Sequence, residues 1–524
     1  MTKYIEEAED HSYAKDAKHS SFGVSTVAEY PNSYREVIES PQKDCWIEAM
    51  MDEYQSLMHH DVFDVVPVTD QKLVTSKWIF SIKKRDDGEI ERFKARVVAR
   101  GFTQKHGIDY DEIFSPVVDR DVVRLALVLS SKKDWKVNHI DIGTAFLNGV
   151  LEEEVYVVPP EPLCEKGSCW KLKRTLYGLK QSPRVWNRTL AEELTKFGLN
   201  KSEHENCLFW NEEMLVVVYV DDMLVASSSE TEIEKLCSHL KKGFVVKNLG
   251  PVKKFLGVSV KKIDGGFVLD QETYIDELAE RFGISAGARR LVPLPSGLYE
   301  DGVETSKPVR ELIGALNYVS QWTRPDICAP VNIVSRKMHK PTVGLWKSAT
   351  QILRYLIATK GWGLKLVADG QSKSQVYADA DYATDDSRKS QSGVFVRMFG
   401  SPVVWSSNKQ RSIATSSSDA EVVAAEQAVK SLCGMRNLLT EMGISLQLPV
   451  PLLEDNRNAI QYVNNKCPKH IDVDLKYIRD KVNRGIIKLE YVASKDQIAD
   501  VLTKAVSRNA YGDIVNALGI MRRG

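Results

Sequence analysis

Residues 214–227 read MLVVVYVDDMLVAS, two adjacent acids, Asp221 and Asp222, set between runs of strand-forming residues. Burying paired carboxylates costs free energy unless something positive compensates. Successive strand residues face opposite sides of a sheet, so Asp221 and Asp222 approach one site together only where the chain turns. The stretch therefore predicts a hairpin with the acids at its tip. A further acid, Asp141, ends the strand-like run WKVNHID at 135–141 and precedes the turn-prone IGTAFLNG. Carboxylates brought together from separate strands suit a pair of Mg²⁺ ions, which take oxygen ligands and leave positions for water and substrate phosphates. Two such ions about 3.5–4 Å apart activate a 3′-hydroxyl and stabilise departing pyrophosphate.

Upstream, KWIFSIKKRDDGEIERFKARVVAR at 77–100 places two strand-like runs around Asp87-Gly88, a dipeptide that favours a tight turn. From Gln71 to Lys105 there are ten Lys or Arg against four Asp or Glu, and from Ser168 to Leu190 six against none. Lys plus Arg and Asp plus Glu both number 71 in the 524 residues, so positive charge is segregated although the total cancels. Two basic runs bracketing a carboxylate cluster point to phosphate binding. Folded structure is expected to begin near Trp46, where Trp46, Met50, Tyr54 and Leu57 recur at helical spacing. Residues 1–30 lack apolar periodicity and read as a flexible lead-in.

Helical patterns run from Gln271 to Gly283 and from Val309 to Thr359, separated by a Pro- and Gly-rich linker from Ile284 to Pro308. Beyond Lys360, the strand-like SQVYADAD, SGVFVRMFG and VVWSSN precede a helix from about Asp419, a strand at PLLED, a helix, a strand at IIKLEYV and a last helix. This alternation predicts an α/β domain with a mixed sheet. Four of its acids stand where a metal site can form: Asp379 in VYADAD, Glu421 in a helix, Asp455 ending PLLED, and Asp500 in the last helix, which Ser494 and Gln497 would open as a capping box. Asp379 and Asp381 share one strand face, so spacing leaves both open. Eight cysteines without a CxxC pair suggest neither disulfide framework nor zinc site, and the longest apolar stretch is far shorter than the ~20 residues of a membrane span, so a soluble intracellular protein, cytoplasmic or nuclear, is expected.

HIDIGTAFLNG, TLYGLKQSPRVW and YVDDM resemble, in order and separation, successive motifs of reverse transcriptases from Ty1/copia-type retrotransposons. ERFKARVVARGFTQ and DYDEIFSPVV upstream, and KKFLGVSV, LNYVSQWTRPDI and RYLIATKGWGL downstream, extend the likeness from about Tyr34 to Lys504. The resemblance implies an α+β fold: a fingers-palm-thumb polymerase with a ferredoxin-like palm, followed by an α/β ribonuclease H-like domain. Fingers and palm would occupy 31–250, thumb and helical connection 251–370, and the ribonuclease H-like domain 371–524. It implies copying of RNA into DNA, in retrotransposon replication, with ribonuclease H cleavage of the RNA in RNA–DNA hybrids. Metal ligation would fall on Asp141 and Asp221, with Asp222 accessory near the primer end. Phe146 would take the steric-gate position against a 2′-hydroxyl. Lys84, Lys94 and Arg96 would hold the incoming triphosphate, Tyr177, Gly178 and Lys180 would line the nucleotide and template pocket, and FLGVSV at 255–260 resembles a primer-gripping hairpin.

YADADYA, SRKSQSG, WSSNKQRSIATSSSDAE, EDNRNAI and KDQIADVLTK resemble the retrotransposon ribonuclease H, whose four-carboxylate set would be Asp379, Glu421, Asp455 and Asp500, with Asp379 favoured over Asp381. Gly143, Tyr382 and Val422 depart from the family's usual Lys, Trp and Tyr. Each site implies two Mg²⁺, with Mn²⁺ as the alternative. The implied partners are an RNA template, a DNA primer, the RNA–DNA hybrid and deoxynucleoside triphosphates; whether integrase and capsid of the same element accompany the chain is left open. Missing protease, integrase and nucleocapsid motifs suggest a fragment of an element's polyprotein or a shortened genomic copy. The rival reading is a catalytically idle remnant that binds nucleic acid through its basic surfaces. A nucleotide-hydrolysing motor is disfavoured, because the sequence has no GxxxxGK[ST] loop.

Overall fold

The computed structural model describes residues 30–522 apart from 85–88, 286, 288–291, 295–298, 300–301, 369–372, 385–386, 465–471 and 505–507. The expected lead-in and the Asp87-Gly88 turn lie outside the described residues, as does much of the expected linker. The fold begins earlier than Trp46. A helix at Tyr34–Glu39, capped by the Ser33 side chain on the Glu36 amide, already buries Tyr34 and Val37. Helix Lys43–His59 then lays Trp46, Ala49, Met50 and Leu57 against a five-stranded sheet. In spatial order its strands are Phe63–Pro67, Ser168–Arg174, Val150–Val158, Leu73–Lys84 and Ile90–Ala99. The last two form the basic hairpin, in antiparallel register from Ser76 opposite Ala99 to Lys83 opposite Arg92. Because cross-strand partners share a face, Lys77, Lys83, Arg92, Lys94 and Arg96 fall on the same side.

The second sheet carries the carboxylates. Its strands are ordered Val245–Pro251, Lys136–Gly143, Asp222–Ser227, Met214–Tyr219, Leu208–Trp210 and Asn200–Lys201. Helix Ser182–Lys196 lies in sequence between the second and fourth of these, and Glu230–Leu240 between the third and first. Numbered by chain order the first four of these run 4-1-3-2, all antiparallel, which is the ferredoxin-like arrangement. Both helices pack on one face, through Trp186, Leu190, Leu194, Ile233, Leu236 and Leu240 against Ile140, Ile142, Val216 and Met223. The opposite face, with Val137, Val217 and Leu224, meets helix Arg120–Lys132.

Beyond the palm, the hairpin Lys254–Phe255 and Val258–Ile263 continues into Gly266–Asp270, then Gly363–Val367, and ends on Ile520–Met521. The chain's tail thus completes the sheet that holds the expected primer grip, a pairing absent from the sequence-based expectations. Helices Glu272–Phe282, Val309–Trp322, Cys328–Ser335 and Val343–Ala358 surround it. The final sheet runs Ser401–Lys409, Gln391–Met398, Gln375–Asp381, Val450–Glu454 and Ile487–Tyr491, with its last two pairings parallel. This is the mixed sheet expected, and Ser416 caps its long helix Ser417–Glu441 on the Asp419 amide. Asp500 departs from expectation. It lies in a short 3₁₀ segment, Ile498–Leu502, whose entry is capped by the Gln497 side chain on Ala499 N, and the last helix is Arg508–Ala517.

Buried Arg124 ties these parts together. Its Nε donates to the Val403 carbonyl (2.7 Å), its Nη1 to the Gln321 carbonyl (2.8 Å), and its guanidinium lies 3.8 Å from the centre of the Trp405 ring. Palm helix, thumb helix and C-terminal sheet therefore share one cation, with Asp121 as its counter-ion.

Candidate active sites of the palm and the C-terminal sheet

The hairpin expected at Asp221 forms. Tyr219 pairs with Asp222, leaving Val220 and Asp221 as its two-residue loop. Val220 has φ 55°, a left-handed conformation unusual for a β-branched residue. Its carbonyl accepts from Trp186 Nε1 at 2.7 Å, which fixes the turn to the helix behind the sheet. Asp222 is the direct cross-strand partner of Asp141, and Ile142 N donates to Asp221 O at 2.9 Å. The three acids are thus assembled from two neighbouring strands and one turn.

Their surroundings differ. Asp222 Oδ1 lies 2.7 Å from His139 Nε2, and the His139 ring meets Phe255 edge-on at 5.8 Å. Burial, and beyond it the charges of Asp222 and Asp141, push Asp221 above the usual carboxylate range against the opposing pull of Arg96. Arg96 lies 4.4 Å from the centre of the Tyr177 ring, and Tyr177 meets Phe146 edge-on at 5.2 Å. Burial pushes the Tyr177 hydroxyl up to about 12. Lys94 follows on the same face of the hairpin; burial, then the charges of Arg96, Lys83 and Arg92, hold its ammonium down to about 8.

Arg96, Tyr177 and Phe146 are therefore gathered beside the acids, and Lys94 adjoins them. Gly178, at φ 87°, lies where a Cβ would come within 2.1 Å of the Ala99 carbonyl, so its role is close backbone approach; it lets Tyr177 O accept from Ala99 N at 2.8 Å. Lys180 Nζ lies 3.1 Å from Tyr110 Oη, and its backbone N donates to Gln104 Oε1. Lys84 ends its strand opposite Ile90, and its side chain is outside the described residues. Sequence reasoning missed His139, although HID places it two residues before Asp141 on the same strand face.

In the C-terminal sheet the acids converge more tightly. Oxygens of Asp379, Asp455 and Asp500 all lie within 4.8 Å of one another, and so do those of Glu421, Glu454 and Asp455. These are the groups of three so close among the described residues, and Asp381 belongs to neither. Asp379 is 3% exposed, Glu421 5% and Glu454 1%. Thr503 Oγ1 donates to Asp379, and Lys504 Nζ is 2.9 Å from Asp500. Burial, reinforced by Asp500, pushes Asp379 up to about 7. Burial and Glu454 push Glu421 up strongly, and burial likewise raises Glu454. Glu421 Oε2 and Glu454 Oε2 are buried without a hydrogen-bond partner. Hard oxygens, mutual repulsion and orphaned acceptors are the donor set a divalent cation requires. The four acids singled out in the sequence thus divide into two groups joined at Asp455, with Glu454 as an unforeseen member.

Residues 60–295 match the reverse transcriptase (RNA-dependent DNA polymerase) family. The Pol polyprotein of transposon TNT 1-94 from Nicotiana tabacum is 34% identical over 508 residues, covering 92% of this chain and 38% of the polyprotein. That of transposon RE1 from Arabidopsis thaliana is 33% identical, covering 96% and 35%. A Ty5-1 transposon protein of Saccharomyces cerevisiae is 32% identical over 308 residues, 56% of this chain and all of that protein. The chain thus spans little more than a third of the plant polyproteins. Among solved structures, a foamy viral protease-reverse transcriptase in complex with double-stranded DNA aligns over 85% of this chain and 69% of its own, at 13% identity and a TM-score of 0.46.

Proposed function

Since the chain belongs to the reverse transcriptases of Ty1/copia-type retrotransposons, we propose that it copies RNA into DNA at the palm acids and cleaves the RNA of the resulting hybrid at the C-terminal acids. The observation that carries the first half is the pairing of Asp141 with Asp222 beside the Asp221 turn, next to the basic face of the hairpin. Asp141 and Asp221 would hold Mg²⁺ or Mn²⁺, and in the C-terminal sheet Asp379, Glu421, Asp455 and Asp500 would do so. When bound, the ions supply activation of the attacking hydroxyl or water and neutralisation of charge on the leaving group.

The protein's own groups do the positioning. Arg96 and Lys94 would receive triphosphate oxygens, as a forked and a compact cation on one face of the hairpin near the acids. Phe146, braced edge-on by Tyr177, presents a ring that would leave no room for a 2′-hydroxyl. His139 contacts the Asp222 carboxylate and, edge-on, the ring of Phe255, in the first strand of the expected primer hairpin, so primer position and carboxylate orientation would be linked. In the C-terminal site, Thr503 and Lys504 orient Asp379 and Asp500.

The test is extension of oligo(dT) on poly(rA) by the full chain, followed by cleavage of the hybrid. Extension lost in Asp221→Asn/Asp222→Asn, with cleavage of a preformed hybrid retained, supports both halves. Equal extension by variant and wild type rejects the polymerase reading and leaves the nucleic-acid-binding remnant.

A further inference from the structure

Glu454 is not required by the strand that bears it. It ends Val450–Glu454 with 1% exposure, and its Oε1 accepts from Asn456 N at 3.0 Å, a contact a glutamine would make as well. The other oxygen has no hydrogen-bond partner, and neither has Oε2 of Glu421 across from it on helix Ser417–Glu441. Leaving two acid groups together in a water-poor interior is unfavourable unless a cation or proton intervenes. The sequence places Asp455 next in line, and its carboxylate comes within 4.8 Å of both glutamates while also belonging to the group with Asp379 and Asp500.

We propose that Glu454 is a fifth metal-holding carboxylate of the C-terminal site. With Glu421 and Asp455 it forms one seat for a hard divalent cation, and Asp379, Asp455 and Asp500 form the other. Asp455 is common to both. This rests on the ribonuclease H reading of the site and deepens it, because one ligand of the second seat comes from a residue outside the four-carboxylate set. Three acids around one ion, with no histidine or cysteine, favour Mg²⁺ or Mn²⁺ over softer metals.

Mn²⁺ titration followed by electron paramagnetic resonance tests it, on the full chain carrying Asp221→Asn and Asp222→Asn so that binding at the palm is suppressed. Two ions per chain are expected. Glu454→Gln should weaken one of them by about 10-fold or more while sparing the other. Glu421→Gln should weaken the same ion, and the double variant should bind no worse than either single one; Glu421→Gln alone reads the seat if the Glu454 variant does not fold. A Glu454→Gln titration that superimposes on its parent, while Asp379→Asn weakens binding, overturns the fifth ligand and leaves the ribonuclease H reading standing. Absence of Mn²⁺ binding in the parent overturns both.

Discussion

The palm and the C-terminal sheet each gather acids from separate strands, and they resolve the repulsion in opposite ways. In the palm, the acids sit at the ends of two inner strands and at a turn, Asp222 is held by His139, and Arg96 tempers Asp221. In the C-terminal sheet, four acids crowd around Asp455, three of them almost fully buried, with Glu421 Oε2 and Glu454 Oε2 lacking a hydrogen-bond partner. The palm acids are only half-buried. The C-terminal site is electrostatically loaded and gains stability from any cation that enters. Similar acid chemistry thus rests on preorganised neighbours in one place and on burial in the other.

The comparison breaks most visibly through the acids themselves. Asp455→Asn, which touches both groups in the C-terminal sheet, should lower hybrid cleavage by about 10³-fold, the equivalent of several kcal/mol in the barrier. Extension on poly(rA)/oligo(dT) should be unchanged, and a parallel loss of extension would show that the two sites are not separable.

Smaller, but specific to burial, is a pH effect on stability. The Asp379 carboxyl is pushed up to about 7 in the folded chain and returns to about 3.9 on unfolding. Between those values the folded state holds more protons, so metal-free stability should fall as pH rises from about 4 to 7 and level off above that. Thermal unfolding should show this decline, Mn²⁺ should reverse it, and Asp379→Asn should flatten it. A metal-free curve that rises over the same window would contradict the buried-acid account.

In the palm, Phe146→Ala should raise ribonucleotide incorporation relative to deoxynucleotide by about 10 to 100-fold, the scale set by a pocket contact worth 1–3 kcal/mol. Unchanged discrimination would remove Phe146 from the sugar site. The mildest change is His139→Ala, which should lower extension about 10-fold through a misplaced Asp222, with His139→Gln recovering most of it because an amide can still donate. Equal rates in all three proteins would leave His139 with a packing role only.

Much of the fold was legible because its elements are locally marked. The DD turn lies between apolar runs that no helix would place so, and the alternating segments after Lys360 become the mixed sheet of 375–491. Asp141 was legible as an acid at a strand end, while its register with Asp222 was not, since pairing across some eighty residues leaves no local periodicity. The tail strand Ile520–Met521 is two residues long and forms only because Gly363 and Leu364 offer an open edge. Asp500 looked helical because Ser494 and Gln497 fit a capping box, yet the Gln497 side chain instead reaches across to the Ala378 carbonyl at 2.9 Å, and the segment tightens to 3₁₀. Glu454 was hidden by its neighbour: in LLED either acid can be the one that matters, and only the folded structure shows Glu454 buried against Glu421 while Asp455 beside it is half-buried.

The central claim is that Asp141 and the Asp221 turn share a divalent cation. Replacing Mg²⁺ by Fe²⁺ in the complex with primer, template and nucleotide, then generating hydroxyl radicals with peroxide, maps that claim onto the chain. The account predicts backbone cleavage clustered at residues 139–143 and 219–223 together, lost in Asp141→Asn. Cleavage confined to the C-terminal sheet, with the palm segments intact, would contradict it.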